Sequence, residues 1–249
     1  MSVLGQIIIA NIVVSLISFV GLVTLFHKSL FSQKTIYLLV SFAAGVMLTT
    51  AFIDILPEAI EHLDPALALK SVLAGIVGSF IIEKLLWHHH HHGDTHGTHP
   101  TTLLVLIGDA LHNFIDGIAI AASFVASPAL GIATTIAIVA HEIPQELADF
   151  SILMHVGVKR NKALFLNFLS ALTAIAGGLL GYFFLQQSEV YMPHILSIAG
   201  GVFIYIAAAD LIPELHREQK QRNIASQLLP FLLGIAVITF VSGVFVHPH

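Results

Sequence analysis

The 249-residue chain has no cysteine, so disulfides and thiolate metal sites are excluded and no redox compartment can be read. Charge is scarce too: Asp, Glu, Lys and Arg make up 10% of the residues, against about 25% in soluble domains. What fills the space is apolar, at 56% of the chain. A water-soluble fold of this size must present a largely polar exterior, which this composition does not supply. Lipid is therefore the expected solvent for most of the surface, in one membrane domain over 1–249. The formal net charge of −5 gives no reason to expect nucleic acid as a partner. The N-terminal MSVLGQIIIANIVV lacks the basic start and small-residue cleavage site of a signal peptide, and reads as the start of a first span.

A helix needs about 20 mostly apolar residues to cross a bilayer. Eight segments qualify: 3–26, 36–60, 66–87, 101–125, 130–155, 163–185, 193–214 and 225–246. The expected fold is an all-α polytopic membrane protein. The one long hydrophilic stretch, HHHHHGDTHGTHP at 88–100, is expected to be a flexible loop between the third and fourth spans. Lys and Arg favour the cytoplasmic side of short loops. With the N-terminus outside, Lys28, Lys34, Lys84, Lys159, Arg160, Lys162, Arg217, Lys220 and Arg222 are all cytoplasmic, and only Lys70 is outside. Both termini are then external, the histidine loop is internal, and the expected location is the cell membrane.

The chain repeats itself. GVMLTTAFIDILPE at 45–58 and GVFIYIAAADLIPE at 201–214 match, at an offset of 156, at Gly45/Gly201, Asp54/Asp210, Pro57/Pro213 and Glu58/Glu214. The copies lie in the second and seventh spans, five apart, and so run in opposite directions. Inverted repeats with a central site are a common transporter architecture. Here spans one to three would repeat as six to eight, around spans four and five.

Those two central spans hold the unusual chemistry. The fourth carries Asp109, His112, Asn113 and Asp116; the fifth carries His141, Glu142, Gln145, Glu146 and Asp149. An ionised residue at the centre of a lone helix costs about 2.5–3.5 kcal/mol or more. Five carboxylates here share their two spans with no Lys or Arg, and across all eight spans the basic residues sit only at the ends. They must be protonated, face water, or be neutralised by a bound cation. His112 and His141 beside them favour a transition-metal ion, because neutral imidazole is a common metal ligand. At about 100° per residue, each set falls on one side of its helix. His112 and Asp116, like His141 and Gln145, are four apart and can project towards one ion. Asn113 with Asp116, and Glu142 with Gln145, are three apart and can serve a second. Pro144 leaves the Ala140 carbonyl without its usual helical donor, a break that membranes tolerate beside a water-lined cavity.

HNFIDG at 112–117 and HEIPQELADF at 141–150 resemble the paired signatures of the Zrt/Irt-like (ZIP) metal transporters, nearest the subfamily whose fifth-helix motif reads HEIPHE. The resemblance spans the whole membrane region. It implies transport of a divalent metal ion, zinc first, into the cytoplasm by alternating access, with no enzymatic step. It puts His112, Asp116, His141 and Gln145 at one metal position. Asn113, Asp116, Glu142 and Gln145 occupy or border a second, and Asn167 and Ser170 are the sixth-span candidates beside it. It implies that spans one, four, five and six move against two, three, seven and eight, in a homodimer. Gln145 stands where HEIPHE has its second histidine, and Ala140 where that subfamily often has Cys, which loosens the inference about metal preference.

Around this centre, Asp54 and Glu58 are candidates for the outer mouth of a cation pathway, and Asp210 and Glu214 for the inner mouth. Asp109, Glu146, Asp149 and His155 are further pathway candidates. His88, His89, His90, His91, His92, His96 and His99 form a histidine-rich tract expected to bind metal on the cytoplasmic side. Two rival functions are weighed. A passive channel of broad specificity (Fe, Mn, Cd, Co, Ni) has the same ligands. An intramembrane metalloprotease needs H-E-x-x-H, and 141–145 reads HEIPQ.

Overall fold

The computed structural model describes residues 1–22, 33–91, 98–217 and 224–245, and among these there is no strand. The helices are α1 Val3–Ile17, α2 Gln33–Thr49, α3 Leu56–His62, α4 Pro65–His91, α5 Thr98–Ala126, α6 Pro128–His155, α7 Arg160–Ala171, α8 Thr173–Gln187, α9 Met192–Tyr205, α10 Ile212–Arg217 and α11 Ile224–Phe245. They make eight spans. The second is α2 and α3, the sixth α7 and α8, and the seventh α9 and α10. Seven spans are long and apolar enough to cross a membrane. The fifth, α6, has 28 residues, or about 42 Å at 1.5 Å per residue; its shortfall is in apolarity, because it carries Glu142, Glu146 and Asp149. Leu69, Leu73, Phe80, Leu229, Leu233 and Phe240 are half or more exposed or nearly so, the surface of a helical membrane protein whose solvent is lipid.

Local chemistry sets the helix starts. Ser127 accepts the backbone N–H of Leu130 at 3.1 Å, just before Pro128. Asp64 accepts those of Ala66 and Leu67 at 3.0 and 3.2 Å, just before Pro65. Both pairs combine a capping oxygen with a proline whose missing donor the first turn does not need. The tract expected as a loop over 88–100 is shorter in the structure, since α4 runs to His91 and α5 starts at Thr98. Residues 92–97, and the side chains of all seven tract histidines, lie outside the described residues.

The second and seventh spans share an irregularity. Each contains a π-helical turn, at Thr50–Ile55 and at Ile206–Leu211. The two turns are related residue for residue by the offset of 156 read from the sequence. π-turns interrupt helices singly and often mark functional sites.

Glycines set which spans touch backbone to backbone. A Cβ on Gly45 would lie 2.2 Å from the Phe231 carbonyl oxygen, and one on Gly234 2.4 Å from that of Phe42. The second span is thereby seamed to the eighth. In the other half, a Cβ on Gly201 would lie 2.2 Å from the Val72 oxygen, and one on Gly75 2.3 Å from that of Ile198. The seventh is thereby seamed to the third, with Gly201 and Ile198 at the offset of 156 from Gly45 and Phe42. Gly117 and Gly177 seam the fourth to the sixth, each with a carbonyl oxygen 2.0 Å from its missing Cβ. Among the described residues, every glycine approached within 3.0 Å by another span is approached from inside one of two groups. One group is spans one, four, five and six; the other is two, three, seven and eight. Between the groups, the second span meets the fifth and the seventh meets the fourth, with no glycine approached within 3.0 Å across that boundary among the described residues.

Candidate metal centre

α5 and α6 meet around His112 and His141, whose Nε2 atoms are 3.0 Å apart. Both point at the same two carboxylates. Asp116 Oδ2 is 3.5 Å from His112 Nε2 and 3.2 Å from His141 Nε2. Glu142 Oε1 is 3.5 and 3.7 Å from the same two atoms. The i, i+4 spacing brings His112 over Asp116, and the contact between the two helices does the rest.

These separations have a chemical meaning. Zinc bound tetrahedrally at 2.0–2.2 Å by nitrogen and oxygen sets its ligand atoms about 3.3–3.6 Å apart. Five measured separations here run from 3.0 to 3.7 Å. One ligand atom from each of the four lies within 4.8 Å of the others, close enough for the four to hold one metal ion. His141 Nδ1 lies 3.1 Å from the Ala137 carbonyl oxygen. A carbonyl only accepts, so this contact takes an Nδ1 proton and turns Nε2 to the cluster. Asp116, His141 and Glu142 are fully buried or nearly so, and no hydrogen-bond donor reaches either carboxylate. Buried carboxylates without partners are costly; a cation between them removes the cost.

The family follows from the whole chain. A family profile described as "ZIP Zinc transporter" matches residues 4–102 and 88–242, nearly the full length and both polar spans. The chain belongs to the ZIP family. Its relatives include "Metal cation symporter ZIP14" of Bos taurus, 44% identical over 131 residues, which are 52% of this chain and 26% of that protein. The Homo sapiens protein of the same name is 43% identical over 131 residues, 52% of this chain and 26% of that one. "Zinc transporter ZIP4" of Mus musculus is 43% identical over 119 residues, 48% of this chain and 18% of that protein. The matched part thus spans about a quarter or less of the length of these curated relatives.

Within this ZIP chain, the other expected residues fall in distinct places. Asn113 is buried and donates its amide N–H to Asp109 Oδ1 at 2.8 Å. Ser170 donates to Asp109 Oδ2, and Asn167 donates to Glu146 Oε2, so the sixth span closes the site from the side. Gln145 and Asp149 are half-buried on α6. His155 is exposed at the end of α6, with no place in the cluster. Glu58 pairs with His62 at 3.6 Å. Asp54 and Asp210, equivalent by the repeat, differ: Asp54 is buried and Asp210 exposed. Phe203 is a neighbour that no sequence signal marked. Its fully buried ring meets the His141 ring edge-on at 6.0 Å between centroids. It comes from α9, the other group of spans, and reads in the sequence as one more apolar residue of an apolar helix.

Proposed function

We propose that this ZIP chain carries divalent metal ions, zinc first among them, across the cell membrane into the cytoplasm. One observation carries the reading. Four donors within 4.8 Å of one another, three of them buried, gather in the two most polar spans, with no Lys or Arg in either. Transport by alternating access is supported by the seams: among the described residues, the close glycine approaches fall within each of two groups of spans and none falls between them. A site held by one group and faced by Phe203 of the other is placed to change sides when the groups shift. The relatives' names, a metal cation symporter and a zinc transporter, agree with this reading. External termini, inward transport and a homodimer belong to the same proposal.

The test is metal uptake into vesicles holding the purified protein, with His112→Ala and His141→Ala. Each variant is expected to lose at least about tenfold in uptake at low zinc, the scale seen when even an outer partner of a metal ligand is removed. Normal uptake by both would remove the centre from the pathway. Uptake by the wild type is expected to saturate with zinc, as a carrier must; a current that rises without saturation would mark a channel.

A further inference from the structure

The sixth span is broken at Leu172, between α7 and α8. The cause is a side chain from another span. In a regular helix the Ala171 carbonyl would accept the N–H of Ile175; here it accepts the hydroxyl of Ser15, in the first span, at 2.8 Å. The Ile175 N–H bonds the Leu172 carbonyl, three residues back, at 3.1 Å. The first span is broken in the same way. Its Ser15 carbonyl accepts the Ser18 hydroxyl at 2.8 Å, and the Phe19 N–H bonds the Leu16 carbonyl, three residues back, at 3.2 Å. Leu16 and Phe19 stand at the offset of 156 from Leu172 and Ile175, so the two breaks are one feature of the repeat. A side chain inserted into the helical ladder is a known cause of a kink, and tight three-residue turns within a helix often mark hinges.

The two sides of the break in the sixth span are held differently. α8 is fixed: its Gly177 closes on the Phe114 carbonyl, 2.0 Å from a missing Cβ, and its Gly178 on the Asn11 amide, 2.4 Å from one. Ala174 and Leu185 of α8, like Ile7, Ala10 and Val14 of α1, belong to the main hydrophobic core. On α7, Ala163 and Leu164 pack instead with Phe150 and Leu153 in a separate small cluster. α7 is also held by a stack of Phe168 on Phe19, with ring centroids 4.7 Å apart, and by the hydrogen bonds from Asn167 to Glu146 and from Ser170 to Asp109. The helix break thus falls on the boundary between two hydrophobic clusters, and local opening follows such boundaries.

We propose that Leu172 is a hinge and α7 a flap beside the metal centre, backed by Phe19 and latched by Asn167 on Glu146 and Ser170 on Asp109. The flap lies at the end where the fifth span turns into the sixth, which is the cytoplasmic end in the proposed orientation, so it gates the way out. Its role as an exit gate rests on the proposed transport; the hinge itself does not. Ser15 and Ser18 are positioning residues, because their hydroxyls occupy the carbonyls that a continuous helix would use. α7 has 12 residues, about 18 Å at 1.5 Å per residue. A swing of about 20°, the size of a sharp kink, moves its far end by about 6 Å. This movement lies inside one group of spans and is distinct from a shift of that group against the other.

Spin labels test this in the full chain, which has no cysteine of its own. Lys162→Cys on α7 and Ile107→Cys on α5 are at exposed positions. Both belong to the same group of spans, so a shift between groups does not change their separation. That distance is read by double electron–electron resonance on purified, metal-free protein in detergent. Asn167→Ala with Ser170→Ala opens the latch and touches none of the four donors. It is expected to add a population about 6 Å longer. Phe168→Leu, which loosens the stack on Phe19, is expected to act in the same direction. Ser15→Ala with Ser18→Ala returns both carbonyls to the helical ladder. Added to the latch variant, it is expected to remove the longer population. Alone, it is expected to slow zinc uptake by about tenfold, which two lost hydrogen bonds of ordinary strength supply, with zinc affinity unchanged. A distance that stays the same in the latch variant and in Phe168→Leu overturns the hinge. So does a longer population that persists without the two serine hydroxyls. Zinc binding by each variant shows that it is folded. The two readouts fail separately: a flap that moves in a protein carrying no zinc keeps the hinge and removes the transport reading.

Discussion

Ligand by ligand, the centre differs from its motif at Gln145, one turn beyond His141. The glutamine keeps an oxygen donor and removes an imidazole, which shifts the donor set towards harder ions. Gln145→His is therefore expected to raise zinc affinity relative to manganese by about tenfold, the lower end of the range for changes around a metal. Competition of unlabelled Mn2+ against radioactive zinc measures it, and an unchanged ratio would show that position 145 does not face the ion. His112, Asp116, His141 and Glu142 were legible in the sequence, because charged groups in an apolar helix demand a reason. Phe203 was not. Its role comes from a contact between distant spans, and an apolar residue in an apolar helix carries no mark of which neighbour it meets.

The second and seventh spans are the informative elements. Their π-turns, at Thr50–Ile55 and Ile206–Leu211, coincide under the offset read from Asp54, Pro57 and Glu58 and their counterparts. The prolines, each two residues past its turn, lack the backbone donor that a regular helix needs there; the π geometry itself depends on how the neighbouring spans hold it. Burial breaks the symmetry, since Asp54 is buried and Asp210 exposed. Because the chain has no cysteine, single-cysteine labelling reads this directly. Asp210→Cys is expected to react with a water-soluble maleimide at least about tenfold faster than Asp54→Cys, a ratio matching a difference of about 1.4 kcal/mol in access. Equal rates would mean that the two turns are equally exposed in the working protein. The glycine seams give a second test at this scale. Gly45→Val and Gly117→Val drive a side chain into a carbonyl oxygen and are expected to abolish folded protein. Gly78→Ala and Gly243→Ala, where nothing lies within 4 Å of the missing Cβ, are expected to be neutral or stabilising by about 0.5–1 kcal/mol. Thermal melting in detergent compares the pairs.

At the scale of the molecule, two groups of spans meet around the cluster of His112, Asp116, His141 and Glu142. The histidine-rich tract joins the third and fourth spans in the sequence. Replacing His88, His89, His90, His91, His92, His96 and His99 by Ser is expected to leave vesicle uptake intact while lowering total metal bound per chain. Lost uptake would make the tract part of the pathway. Composition and period determined much of this protein by themselves: eight spans, the repeat, the polar pair of helices and their donor residues. They did so because a bilayer forbids exposed backbone and punishes charge, so each departure from apolarity stands out along the chain. Only the tertiary structure decided which spans share a seam, since many helical faces here are equally apolar and the choice rests on where a missing Cβ lets two backbones close. It also decided that four donors gather within 4.8 Å of one another and that Asn113 and Asn167 turn their amides onto separate carboxylates. Those are distances between helices, and no periodicity along one helix contains them.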